Sequence, residues 1–97
     1  MTYHEKVTMY IVDNFYSLLS YDAGLYIKQE TLESIINDIL REGVKFKKAT
    51  NGLPPLIRAA LKEAIKDALS SELFIMVDSF VGTDSVNKLV KLWKGQQ

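Results

Sequence analysis

Cysteine is absent from the 97 residues. Disulfides, thiolate metal sites and a cysteine nucleophile are therefore excluded. Histidine occurs once, as His4. A zinc centre needs several imidazoles or thiolates on one ion, and a Ser–His–acid arrangement needs a well-held base, so neither can be assembled around a solvated terminal histidine. His4-Glu5 opens like a metalloprotease helix motif, but no second histidine follows. No glycine-rich phosphate loop is present: Asn51-Gly52-Leu53-Pro54-Pro55 reads as a turn into a helix and lacks the glycine and lysine spacing of a P-loop. No charge of one sign prevails either, with 12 basic and 12 acidic residues. Nothing in that balance drives the chain toward nucleic acid or an anionic membrane at long range. No apolar run approaches the ~20 residues of a membrane span. Residues Met1 to Lys6 are polar, with no basic region followed by an apolar block, which is not a signal peptide. The expected location is cytoplasmic.

What is present is ordinary globular composition, 47% hydrophobic and 25% charged. A chain of this size forms one domain, residues 1–97, and buries roughly two thirds of its unfolded surface without staples. There is no internal repeat and no low-complexity tract.

The longest feature is the stretch from Leu53 to Val81. Leu56, Ile57, Ala60, Leu61, Ala64, Ile65, Ala68, Leu69, Leu73, Met76, Val77 and Phe80 recur at helical spacing, entered at Pro54-Pro55 and left at Gly82. Proline suits the first helical turn, where its missing amide costs nothing. Arg58, Lys62, Glu63, Lys66 and Asp67 mark the wet face. Ser70-Ser71 weakens helix propensity and allows a bend. Asp78, between Val77 and Phe80, reads as a polar position on the edge of a buried helix rather than a functional acid.

The flanking segments are shorter. A first helix runs from about Tyr3 to Leu19, with Thr2 and Glu5 at capping-box spacing. Val7, Tyr10, Ile11, Phe15 and Leu18 or Leu19 share one face, and Met9, Val12 and Tyr16 broaden it, which implies contact on two sides. Ser20 to Gly24 is a connection, and Leu25-Tyr26-Ile27 is an extended lead-in or a first helical turn. A second helix spans about Lys28 to Glu42, with Leu32, Ile35, Ile36, Ile39 and Leu40 on its apolar face and Gly43 placed to close it. Val44 to Gly52 reads as a loop in which Phe46 anchors to the core and Asn51-Gly52 turns. A last helix is capped by Thr83 or Asp84. It has an apolar face of Val86, Leu89, Val90 and Trp93, opposite Lys88, Lys91 and Lys94, and residues 95–97 fray. The expected fold is all-α: a compact bundle of four to five helices around a long central helix at about 54–81, either continuous or kinked near 70–71.

Two groups of residues are candidates for function. Tyr10, Tyr16, Tyr21 and Tyr26 crowd the N-terminal part, and tyrosine suits a surface half apolar and half wet, so they are candidate partner contacts. A core lined by the same rings fits equally. Lys45, Lys47 and Lys48 flank Phe46, while Lys88, Lys91 and Lys94 flank Trp93. Fold-back of the two clusters would make a basic patch with aromatics, the footprint of a nucleic-acid or acidic-protein surface. The helix order ending in Gly43-Val44 resembles a winged-helix unit in a generic way. Its glutamates oppose phosphate, however, and the chain runs into a proline-started helix instead of a wing, so that family is not assigned.

The leading expectation is a small non-enzymatic protein–protein interaction module of the inhibitor, immunity or adaptor type. Small bacterial or phage proteins of these types have this size and carry as little chemistry. It would bind another protein, or itself as a homodimer, by steric cover through an apolar and aromatic helix face. No cofactor, metal or small-molecule substrate is expected. The alternative is a small helical nucleic-acid-binding regulator that uses the lysine clusters.

Overall fold

The computed structural model describes residues 3–19, 26–70 and 90–95. The fold is all-α. Its elements are α1 (Tyr3–Leu19), α2 (Gln29–Leu40), the single turn α3 (Phe46–Ala49) and α4 (Pro55–Ser70), and residues 90–94 form a last helical segment. No strand occurs among the described residues. Thr2, residues 20–25, the stretch beyond Ser70 where the central helix is expected to run on, straight or kinked, Asp78, Gly82, the caps Thr83 and Asp84, Val86, Lys88 and Leu89 lie outside the described residues.

α1 has the expected ends, and its breadth has the expected cause. It packs extensively on α4 and also on α2. Val7, Ile11, Val12 and Phe15 are buried, and Tyr10 and Leu19 pack half-buried against the same core. Met9, Tyr16 and Leu18 stay exposed.

α2 buries Leu32, Ile35, Ile36, Ile39 and Leu40, the whole expected face. It is shorter than the Lys28–Glu42 span. Lys28 is extended, with ψ 140°, and acts as the N-cap. Tyr26 and Ile27 therefore belong to the lead-in rather than to a first turn. At the other end Arg41 and Glu42 both donate to the Asn37 carbonyl, and Val44 N–H reaches the Asp38 carbonyl at 2.8 Å. Gly43 makes this closure with φ +71°, in the left-handed region that disfavours a Cβ.

The segment expected to be a loop at 44–52 contains α3. Ala49 and Thr50 donate to the carbonyls of Lys45 and Phe46, each at 2.9 Å, and the Thr50 hydroxyl joins the Phe46 carbonyl at 2.7 Å. Four residues are too few to display a period, and such a turn is held by packing rather than propensity. Phe46 supplies that packing: its ring meets Trp93 edge-on, with centroids 5.8 Å apart. Asn51-Gly52 turns as expected, with Gly52 at φ +89° and Leu53 N–H bonded to the Thr50 carbonyl.

α4 starts with Pro55 in its first position, and the Pro54 carbonyl accepts from Arg58 N–H at 3.0 Å. Ile57, Leu61, Ala64, Ile65 and Ala68 are buried. Lys62, Glu63, Lys66 and Asp67 are exposed as expected, but Arg58 is half-buried because α3 folds beside it. Ala64 and Ala68 are both fully buried, four residues apart on the face turned to the core. Asn14 of α1 reaches the Ala64 carbonyl at 3.5 Å, an approach that a larger side chain at the seam would obstruct. Among the described residues, no helix is long and apolar enough to cross a membrane.

Leu61→Ala should lower stability by about 2–5 kcal/mol, because Leu61 is fully buried and the cavity cannot close. Ala64→Leu should cost about 1–3 kcal/mol by forcing α1 away. Leu56→Ala, at a 61% exposed site, should stay within about 0.5 kcal/mol. Urea midpoints with unchanged slopes check all three.

Candidate functional site

α1 and α2 run antiparallel, because the late α1 residue Tyr16 meets Ile27 just before α2, and early α1 residues face the end of α2. Each helix turns one stripe into the core. The outer flanks between them leave an open groove of about 700 Å³. Glu5, Thr8 and Met9 form one wall, and Glu33, Ser34, Asn37 and Arg41 form the other. Met9 is 44% exposed and supplies apolar surface among polar neighbours. The groove combines a soft apolar contact with carboxylates, amide and hydroxyl groups and one guanidinium. That chemistry suits recognition of a polypeptide segment. Among the described residues, no cluster of three or more His, Cys, Asp or Glu is placed to hold a metal ion.

The structure separates the candidate tyrosines. Tyr16 lies seven residues after Met9, hence on the same flank of α1. Its hydroxyl donates to the Ile27 carbonyl at 3.0 Å, and its ring stands edge-on to Phe15 at 5.4 Å. Tyr26, 77% exposed, is close enough to act electrostatically on Tyr16, as is Glu33 of the groove wall. Tyr16 and Tyr26 therefore lie near the Glu33 end of the groove, away from Arg41. Tyr10 does not belong with them: it lies one turn before Asn14, on the α4 flank, and is half-buried against the core. Tyr21 lies outside the described residues.

The two lysine-bearing segments do meet, in part. Lys45 Nζ donates to the Gly95 carbonyl at 2.7 Å, placing a cation on the carbonyl end of the last helical segment, where the helix dipole favours it. Lys47, Lys48, Lys91 and Lys94 are exposed, and Lys88 lies outside the described residues. Trp93 faces inward and is 6% exposed, so its ring is not presented for stacking on a base, while Phe46 packs edge-on against it and is half-buried.

Sequence reasoning named the tyrosines but not the groove. The missed signal was Met9, Tyr16 and the flank residues Glu5 and Thr8 falling along one edge of a helix whose core stripe is complete without them.

Burial, then the neighbouring Tyr26 and Glu33 charges, push the Tyr16 phenol above its ordinary value of 10.0. The folded state therefore holds this proton more tightly than the unfolded chain does. The resulting stabilisation is fully present below about pH 10 and is lost as pH rises through the higher folded value. Tyr16→Phe should remove this alkaline loss and, by deleting the bond to Ile27, cost about 1 kcal/mol at neutral pH. Denaturant midpoints at neutral pH and above pH 10, together with ultraviolet titration of phenolate, check both effects.

Compared with known protein families, curated proteins and solved structures, the chain matches none.

Proposed function

We propose that this chain is a small non-enzymatic protein–protein interaction module, of the inhibitor, immunity or adaptor type. It acts by steric binding along the α1–α2 groove. The observation that carries this reading is exposed Met9 in the wall of an open groove, with Tyr16 and Tyr26, also exposed, near its Glu33 end. Exposed methionine adapts to irregular apolar partners, and tyrosine supplies contact area at small entropic cost. Glu5, Glu33 and Arg41 set charge at the rim, where it selects partners and orientation more than it adds affinity. The occupant is a segment of another protein or of a second copy, laid into the groove with apolar residues toward Met9. Tyr10 serves the core in this reading, and the contact moves from the Tyr10–Tyr16 pair to Met9, Tyr16 and Tyr26.

A second reading is favoured by one observation. The Lys45–Gly95 bond draws two lysine-bearing segments to the same end, which would let a nucleic-acid regulator grip phosphates with Lys47, Lys48, Lys91 and Lys94. The inward-facing Trp93 weighs against it.

A Met9→Asp, Tyr26→Ala double variant decides between these readings. Both residues are exposed, so the variant should keep the native circular dichroism and denaturant midpoint. Its affinity for a partner captured from the source organism, or for itself by sedimentation, should fall at least about thirtyfold if these are anchors. Undiminished binding by a folded variant ends the groove reading. A salt series on the wild type separates the alternative, since phosphate binding weakens steeply between 50 and 200 mM salt and an apolar groove does not.

A further inference from the structure

A second, smaller concavity of about 270 Å³ lies between α3 and α4, and its polar walls are cationic. Lys47 stands on α3; Arg58 and Lys62 stand on α4. Among the described residues, no carboxylate lines it. Phe46 and Ala59 supply its apolar part, and the Thr50 hydroxyl is already committed to the Phe46 carbonyl. The Arg58 Nε–H is buried and has no hydrogen-bond partner. That nitrogen is closed to the water in the concavity, so a ligand there meets the terminal guanidinium nitrogens, which are not buried.

The sequence adds an independent observation. Arg58, Lys62 and Lys66 follow at i, i+4 and i+8 on α4, and like charges at that spacing repel. Arg58 also sits in the first turns of α4, where the dipole already disfavours a cation, and no acidic residue stands in that first turn. Three unfavourable features converge on one place: a like-charge ladder, a cation at the wrong helix end, and walls without a counter-charge among the described residues. A single bound anion relieves all three.

We propose that this concavity is a binding site for a phosphoryl oxyanion. The guanidinium of Arg58 is the fork, and Lys47 and Lys62 are flanking point charges. A planar guanidinium matches two phosphate oxygens at once, which an ammonium cannot do. At about 270 Å³ the space is below the roughly 300–1,000 Å³ of a small-molecule pocket, so it takes the phosphate group and leaves the rest of any carrier outside. The ligand is inorganic phosphate or a small phosphate monoester. The site lies away from the α1–α2 groove and does not depend on the function proposed for it.

The chain holds only two arginines, Arg41 and Arg58, so the arginine Nε–Hε region of a nitrogen-15 spectrum reads the site directly, with exposed Arg41 as the internal control. Titration of the full chain with inorganic phosphate, and separately with glycerol phosphate, should shift the Arg58 resonance along a saturating curve and leave Arg41 in place. Sodium chloride at matched ionic strength should move neither. Tighter binding of glycerol phosphate assigns the site to monoesters, and tighter binding of inorganic phosphate assigns it to the free ion. Lys62→Met, at an exposed position, should weaken binding about tenfold, and Arg58→Lys should weaken it at least as much although it keeps the charge. The proposal is overturned if Arg58 and Arg41 shift in parallel, if the response is linear or equalled by chloride, or if Arg58→Lys binds as well as the wild type. It is overturned also if only a single-stranded oligonucleotide, and neither small phosphate, perturbs Arg58. Should Arg58→Lys fail to fold, the wild-type curves and Lys62→Met decide the matter alone.

Discussion

The seam between α1 and α4 is the constraint on which the rest depends. Two buried alanines, Ala64 and Ala68, face the core four residues apart, while Leu61 and Ile65 on the same face provide bulk. Small residues at a helix contact let the axes approach, and large neighbours fill the space on either side. The amide of Asn14 reaching the Ala64 carbonyl records that approach. With α4 drawn this close to one flank of α1, the core stripe of Val7, Ile11 and Phe15 is covered, and α2 covers the adjoining side with five large aliphatic residues.

That arrangement distributes the aromatic residues between structure and surface. Tyr10 falls on the α4 flank and becomes part of the packing. Tyr16 falls on the α2 flank, where its hydroxyl ties the lead-in to α2 and its ring borders the groove. A phenol can do both because its body is apolar and its tip is polar. Tyr26 follows the pinned Ile27 carbonyl's own segment into solvent. The groove is thus a consequence of core packing: two antiparallel helices that meet along one stripe must diverge on the outside.

The C-terminal segment is tied to the fold by end chemistry rather than by a long interface. Trp93 inserts beside Phe46, Lys45 caps the Gly95 carbonyl, and Leu92 lies 3.6 Å from where a side chain on Gly43 would begin. These three contacts fall within four consecutive residues, Gly43 to Phe46. One short connection therefore closes α2, starts α3 and receives the last helical segment. Its lysines serve different ends: Lys45 neutralises a carbonyl terminus, and Lys47 lines the cationic concavity beside α4.

Much of this was legible along the chain because it depends on near neighbours. Both ends of α1, the apolar face of α2, the closing role of Gly43, the turn at Asn51-Gly52 and the start of α4 at its prolines follow from period, capping and backbone sterics, which act over a few residues. The all-α class follows from the same local terms. Other features depended on residues about 50 positions apart in sequence. The single turn α3 exists because Phe46 has Trp93 to pack on. Lys45 is a cap because Gly95 arrives beside it, and Tyr10 parts from Tyr16 because α4 and α2 take opposite flanks of one helix. The cations at Arg58, Lys62 and Lys66 stood in plain view as a ladder. That Arg58 would be desolvated was decided only when α3 folded against it, since burial is a property of what approaches a residue and not of the residue itself.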